Sequence, residues 1–294
     1  MKTKHIKNAL AALALLSTLN PQLSTCFAAT TITDTNHYAY AANLGWVECR
    51  GDVANGAVIG EYVCSGYLYA ANVGWIRLGG GSSANGIQYQ NNSGTDYGVN
   101  HDGLGNLRGY AYGANIGWIN FENSGAPKVD LATGKLSGYA YSANCGWLSL
   151  SNAAAVVQTA TIAVGMDSDG DGIADACDRS YTNSLTAFTA TSDTDHDGMT
   201  DLQEYLAGTN PLDPNDNLRI TLITRGSLPS TYTTLAWPGK PTRFYGVQRR
   251  TTLNPSDPWL EFYTSMVPGV TSIGFNQGFN QQFYRVRAFR PLMP

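Results

Sequence analysis

The sequence predicts a mainly β protein, built as a repeat-based antiparallel β domain, an acidic linker and a small C-terminal β-sandwich. Three observations carry this reading. Charged residues make up 14% of the chain, while 32 Gly and 17 Tyr are present; ordinary soluble domains carry about 25% charge. A nine-residue motif occurs four times between residues 38 and 147. Charge also changes in blocks: net -3 over 30–166, net -11 over 167–216 and net +7 over 218–294. Gly gives up backbone entropy on folding and Tyr favours strands, so the composition argues against a helical protein. The overall net charge of -4 leaves no basic excess to neutralise phosphates, which excludes nucleic acid as a partner.

Residues 1–28 read as an export signal. Lys2, Lys4 and Lys7 precede the apolar run Ala9 to Leu19, and Cys26 and Ala28 supply small residues for cleavage after Ala28. Leu23 to Cys26 also resembles a lipoprotein site with Cys26 acylated, a minor alternative. No later apolar stretch reaches the roughly 20 residues a bilayer span needs, so no transmembrane span is expected. Four cysteines remain after cleavage: Cys49, Cys64, Cys145 and Cys177. An even count in an exported protein favours disulfides. Cys49 and Cys64 flank a short excursion between strand candidates, which favours that bridge and leaves Cys145–Cys177. A buried free thiol at Cys145 is the competing reading.

Residues 30–166 form the repeat domain. Its copies are Tyr38 to Trp46, Tyr67 to Trp75, Tyr110 to Trp118 and Tyr139 to Trp147, all following YxYxANxGW. Alternation puts the two Tyr of each copy on one strand face and small residues on the other. The Asn-x-Gly step predicts a turn, because Asn and Gly both tolerate positive φ. A sandwich, small barrel, propeller or solenoid all accommodate such units. The Gly/Ser/Asn-rich stretch 79–96 reads as a flexible surface loop. The four tryptophans are expected to stack into a core, with the tyrosines half buried. Tyr110, Tyr112, Tyr139 and Tyr141 are the alternative ligand face, since exposed rings can stack on sugars.

Residues 167–216 carry two twelve-residue runs, DSDGDGIADACD from Asp167 and DTDHDGMTDLQE from Asp193. Acidic residues fall at positions 1, 3, 5, 9 and 12, with Gly at position 6: Asp167, Asp169, Asp171, Asp175 and Asp178, then Asp193, Asp195, Asp197, Asp201 and Glu204. This is calcium-loop spacing, with the backbone carbonyls of Ile173 and Met199 at position 7. It predicts about two Ca2+ ions and makes the segment a calcium-loop linker. Zinc and copper fit poorly without thiolates or imidazoles, and His196 occupies a non-ligand position. Thr200 to Leu206 reads as a short helix stopped by Gly208, and residues before Asp167 as strand-like, so compact loops are expected instead of paired EF-hands.

Asp167 to Asp178 resembles a thrombospondin type 3 calcium repeat, and Asp193 to Asp213 is similar to the form found in bacterial exported proteins. The resemblance covers about 50 residues and implies a calcium-stabilised extracellular linker. The YxYxANxGW units resemble repeats of bacterial surface proteins.

Residues 218–294 alternate apolar and polar over Leu218–Ile223, Thr233–Trp237, Phe244–Gln248, Trp259–Tyr263 and Phe283–Phe289, with turn breaks at Pro238-Gly239, Asn254-Pro255 and Pro268-Gly269. This fits a small sandwich, and its ending resembles fibronectin- or immunoglobulin-like modules of bacterial surface proteins. Arg285 and Arg287 share one strand face, near Arg249 and Arg250, and could meet an anionic glycan or the acidic linker.

No catalytic set has convincing spacing. There is no Gly-x-Ser-x-Gly, His-Glu-x-x-His or phosphate loop; His101-Asp102 has no nucleophile beside it, and Glu61 or Glu122 would be the acids of an undetected glycan-active enzyme. The expectation is therefore a secreted or cell-surface, non-catalytic structural or adhesive calcium-binding protein. A carbohydrate-binding surface protein and a glycan-active enzyme are the alternatives, and a glycan or another surface protein is the expected partner.

Overall fold

The structure is a computed structural model that describes residues 29–51, 53–226, 232–276 and 281–293. The export signal expected over 1–28, with the Cys26 alternative, lies outside the described residues.

Each copy of the motif folds as a hairpin. β1 (Ile32–Ala41) turns into β2 (Gly45–Glu48), and β3 (Ser65–Ala70) into β4 (Gly74–Gly80). β5 (Val99–His101) lies on the start of β6 (Leu107–Gly113), which turns into β7 (Gly117–Asn120). The short pair β8 (Lys128–Val129) and β9 (Leu136–Ser137) precedes β10 (Tyr139–Ser142), which turns into β11 (Gly146–Ser149). β12 (Val157–Thr159) pairs with the first half of β1. In every turn the residue before Gly donates its N–H back across the bend: Leu44 to Ala41, Val73 to Ala70, Ile116 to Gly113 and Cys145 to Ser142. Gly45, Gly74, Gly117 and Gly146 then adopt φ between 73° and 79°, the left-handed step only Gly takes cheaply. The motif's Asn does not share that conformation.

The Asn has another task. The hairpins lie side by side as β1-β2-β3-β4-β6-β7-β10-β11, and β11 pairs back onto β1 through Tyr40 with Ser149 and Ala41 with Leu148. The sheet therefore closes into an eight-stranded barrel. Successive hairpins share short ladders, such as Ile76–Gly113 with Arg77–Tyr112. Asn side chains reinforce these seams: Asn72 Nδ2 donates to Leu44 O (3.1 Å), Asn115 to Val73 O (3.0 Å), Asn144 to Ile116 O (2.9 Å), and Asn43 closes the ring on Cys145 O (3.1 Å). Asn144→Ala is expected to lower stability by about 1–2 kcal/mol, since a single net hydrogen bond is lost and a carbonyl is left unpaired. Denaturant melts of the two proteins check this.

Barrel geometry decides which face is core. An eight-stranded barrel has an interior just wide enough for side chains, and the cross-strand pairs Ala39–Val47, Leu68–Ile76, Ala111–Ile119 and Ala140–Leu148 fill it. All eight are buried. The expected tryptophan core is thereby corrected. Trp46, Trp75, Trp118 and Trp147 pair across the turn with Tyr40, Tyr69, Tyr112 and Tyr141, so they share the outer face with the tyrosines. Below the turns the apolar interior continues through Cys49, Cys64, Leu78, Val99, Leu107, Phe121, Leu150 and Val157.

Stretch 79–96 is also not a loose loop. Tyr89 is buried; its hydroxyl donates to Cys64 O (3.1 Å) and accepts from Gly81 N (2.7 Å), while the buried Asp96 carboxylate takes the N–H groups of Ala84 and Gln90.

Cys49, Cys64, Cys145 and Cys177, the candidate disulfide partners, are all free and buried in this structure. Cys49 and Cys64 line the barrel interior, Cys145 sits in the last turn, and Cys177 belongs to a separate cluster with Ile173, Ala174, Phe188 and Tyr205. Burial pushes the thiols of Cys49, Cys64 and Cys177 up to about 12, the character of packed apolar groups.

The acidic segment holds two helices, α1 (Asp175–Tyr181) and α2 (Asp201–Ala207). α2 matches expectation, with Thr200 and Gln203 forming a capping box and Gly208 ending it at φ 73°. α1 was not expected. The C-terminal module pairs β13 (Leu222–Arg225), β14 (Tyr232–Ala236) and β17 (Ser272–Asn276) in one sheet, and β15 (Phe244–Arg250), β16 (Leu260–Thr264) and β18 (Phe283–Phe289) in another. Leu235, Trp237, Tyr245 and Val247 fill the space between them. Among the described residues no helix is long and apolar enough to cross a membrane.

Candidate functional site

Three features outside ordinary packing concentrate the chemistry. The first is the outer belt of the barrel. Trp46, Trp75, Trp118 and Trp147 are 46–50% exposed, and each carries a tyrosine ring 4.9–5.6 Å away from its cross-strand partner. Of the tyrosines singled out from sequence, Tyr112, Tyr139 and Tyr141 are exposed and Tyr110 is half buried. All four sit on this belt, around Trp118 and Trp147. The third cluster gains a further ring, Tyr97, 4.9 Å from Trp118. Cross-strand parity already contained this: a Trp paired with a Tyr must point the same way.

The second feature is the pair of acidic loops. Carboxylate oxygens of Asp167, Asp169 and Asp171 lie within 4.8 Å of one another, as do those of Asp193, Asp195 and Asp197. Asp167 accepts the N–H groups of Gly170 and Gly172, and Asp193 those of Asp197 and Gly198. Gly172 and Gly198 make the reversal at φ 92° and 96°. Position 12 is the strongest indication of a cation. Asp178 and Glu204 are both fully buried, yet both oxygens of Asp178 and Oε2 of Glu204 have no hydrogen-bond partner, as is true of Asp171 Oδ2, Asp195 Oδ2 and Asp197 Oδ2. Burial, then the neighbouring aspartates, pushes Asp178 up to about 7 and Glu204 up to about 8. Such oxygens are costly without a partner, and a hard dication is the partner that all-oxygen sets select. The donor set therefore fits calcium, with Asp167, Asp169, Asp171 and Asp178 placed to hold one ion and Asp193, Asp195, Asp197 and Glu204 a second.

The position 9 carboxylates are used differently. Asp175 accepts Ser168 N and Oγ (2.7 and 2.6 Å), and Asp201 accepts Thr194 N and Oγ1 (3.0 and 2.9 Å) and Ser192 Oγ (2.5 Å). They brace the loops from behind. Ile173 and Met199 follow the turn at position 7, donating their N–H groups to Asp171 and Asp197. The Met199 sulfur accepts Leu218 N (3.1 Å), which ties the second loop to the C-terminal module. His196 is exposed at φ 65°.

The third feature was invisible in sequence: a buried polar cluster where barrel, acidic segment and C-terminal module meet. Tyr205 Oη donates to Glu61 Oε2 (2.8 Å), and Arg290 donates to the same carboxylate (3.1 Å) and to the Tyr205 hydroxyl. Arg243 lies 3.5 Å from Glu61 Oε1 and donates to the carbonyls of Tyr205 and Leu206 (both 2.9 Å) at the end of α2. Lys240 and Asp216 add an ion pair at 2.5 Å. Glu61 is thus committed to two arginines, and Glu122 to the N–H of Gly109 (2.9 Å).

His101 backs this cluster. Its Nε2 accepts Gly105 N (3.1 Å), so Nδ1 carries the proton donated to Gly60 O (3.0 Å), and the ring is neutral. Burial holds its pKa below the usual 6.5, against the opposing pull of Asp102 and Glu61; Arg243 and Arg290 line the same recess. The unfolded chain therefore takes up a proton first as pH falls. The stability His101 contributes is present above about pH 6.5 and is lost as pH falls through its lowered folded value. Between pH 7.5 and 5 the melting temperature of His101→Gln is expected to gain relative to that of the parent chain, because only the parent carries the His101 loss.

No protein-family model, curated protein or solved structure matches the chain, so its function is argued from these residues.

Proposed function

We propose that the chain is an exported, non-catalytic adhesive protein that holds carbohydrate on the aromatic belt of its barrel, with two calcium ions fixing the linker between its modules. The observation that carries this is the belt itself, in which all four tryptophans are about half exposed and flanked by tyrosine. Four large rings left half in water by one repeated motif form an apolar surface of the kind that marks a binding face. Sugar rings, with one apolar face and a rim of hydroxyls, suit a flat ring set among tyrosine hydroxyls. The Trp118 cluster, with Tyr97, Tyr110 and Tyr112 around it, is the best furnished of the four.

The test is titration of neutral oligosaccharides into the full chain, read by calorimetry and tryptophan fluorescence. Trp118→Ala should weaken binding about tenfold, the equivalent of about 1.4 kcal/mol for one lost stacking platform. An absence of binding at millimolar sugar, with fluorescence unchanged, would sink the carbohydrate reading. Concentration-dependent self-association that Trp118→Ala abolishes would assign the belt to protein contacts.

A further inference from the structure

We propose that the outer face of the β15–β16–β18 sheet is a second binding site, for an anionic polysaccharide. Register places its residues together. Gln248 pairs with Arg285 and with Glu261, and Gly246 pairs with Arg287. Arg250, two residues beyond Gln248, falls on the same face, with Arg285 and Arg287 about 6.5–7 Å apart along their strand. Trp259 anchors two of the cations: the guanidinium of Arg250 lies 4.4 Å from the ring centroid and that of Arg285 4.6 Å. Such stacking occupies the flat faces of guanidiniums and leaves hydrogen bonding to the N–H groups at their edges.

The face is under-neutralised. Residues 218–294 contain nine Lys and Arg against two acidic residues, Asp257 and Glu261. Asp257 is engaged elsewhere, accepting from Thr251 and Thr252. Glu261 accepts from Gln248 (2.8 Å) and lies 4.0 Å from Arg287. Gln248 in turn accepts Arg285 Nε (2.7 Å), whereas Arg250 Nε is buried with no hydrogen-bond partner among the described residues. Mutual repulsion is felt: burial, then Arg287 and Arg250, lowers the pKa of Arg285.

The acidic segment is not the counterion. Its polar ties to this module run through Leu218, Lys240, Arg243 and Arg290, none of which lies on this face. Trp259 is stacked by arginines and offers no free platform for a nucleobase. What remains is a row of N–H forks on one sheet face, matched to carboxylates or sulfates along an extended chain.

The experiment uses the calcium-loaded full chain with heparin as sulfated probe, polygalacturonate as carboxylated probe and dextran as neutral control. Binding of either charged polymer, falling steeply with salt, is the expected result. Arg285→Gln with Arg287→Gln should weaken it at least tenfold, and Trp259→Leu several-fold. Glu261→Gln, which removes the one nearby negative charge, should tighten it, so the proposal stays testable if the arginine variants fold poorly. Trp118→Ala should leave this binding unchanged, which separates it from the barrel reading. Equal binding by wild type and the double variant, no tightening in Glu261→Gln, or tighter binding of duplex DNA or anionic vesicles would overturn it.

Discussion

Calcium added to the metal-stripped full chain is expected to bind at two sites and raise the melting temperature by roughly 5–10 °C per site. A ligand at a hundredfold its Kd stabilises the folded state by about 2.7 kcal/mol, and 1 kcal/mol moves the midpoint of a chain this size by about 2–4 °C. The physical source is specific. Both oxygens of Asp178 and Oε2 of Glu204 are buried without hydrogen-bond partners, beside aspartate triads whose charges repel them. An ion in each loop relieves both costs. Asp169→Asn and Asp195→Asn should each remove one site from the calorimetric stoichiometry and leave the other. No heat of binding at millimolar calcium would reduce both loops to solvated acidic turns.

Glu61→Ala is expected to cost about 3–5 kcal/mol, because it strands two buried arginines without a counter-charge. Arg243 and Arg290 are 7% and 8% exposed, and Glu61 is the carboxylate both approach. Denaturant melts read the loss. A second effect distinguishes a coupled joint from a merely stabilising pair. Tyr205, whose hydroxyl donates to Glu61, directly follows Glu204 in α2. Loosening Tyr205 should therefore weaken calcium binding at the second loop, and by linkage that calcium should tighten the joint. Titration of Glu61→Ala in the Asp169→Asn background isolates the second loop; an unchanged affinity there would show the joint and the ion to be independent.

Local features were legible in the sequence because their causes are local. The hairpin turns follow from Asn-x-Gly, the end of α2 from Gly208, and the acidic triads from the spacing of aspartates around Gly172 and Gly198. α1 carries no amphipathic pattern in its seven residues, and β17 is a five-residue strand with Gly274 at its centre, so neither stood out. The outward tryptophans were available in principle from strand parity, but a preference for burying large rings overrode it. The small interior of a closed barrel, filled by Ala, Leu, Ile and Val, decides otherwise. The joint had no local signal, since Glu61 and Arg290 are 229 positions apart and are joined only by the docking of separately formed modules.

Closure also dictates how the barrel is made. Each hairpin is a local event, of the kind that forms in about 1–10 μs. The seam between β1 and β11, with its Asn43 clasp on Cys145, joins the first repeat to the last and waits for every unit between them. Until that seam zips, β1 and β11 present bare strand edges with unspent N–H and C=O groups, open to pairing with other chains. A chain with one hairpin deleted is expected to keep the stickiness of the intermediate, read as concentration-dependent aggregation, because the eight-strand closure through β1 and β11 is then lost. The four-copy count is thus a condition for a sheet without edges.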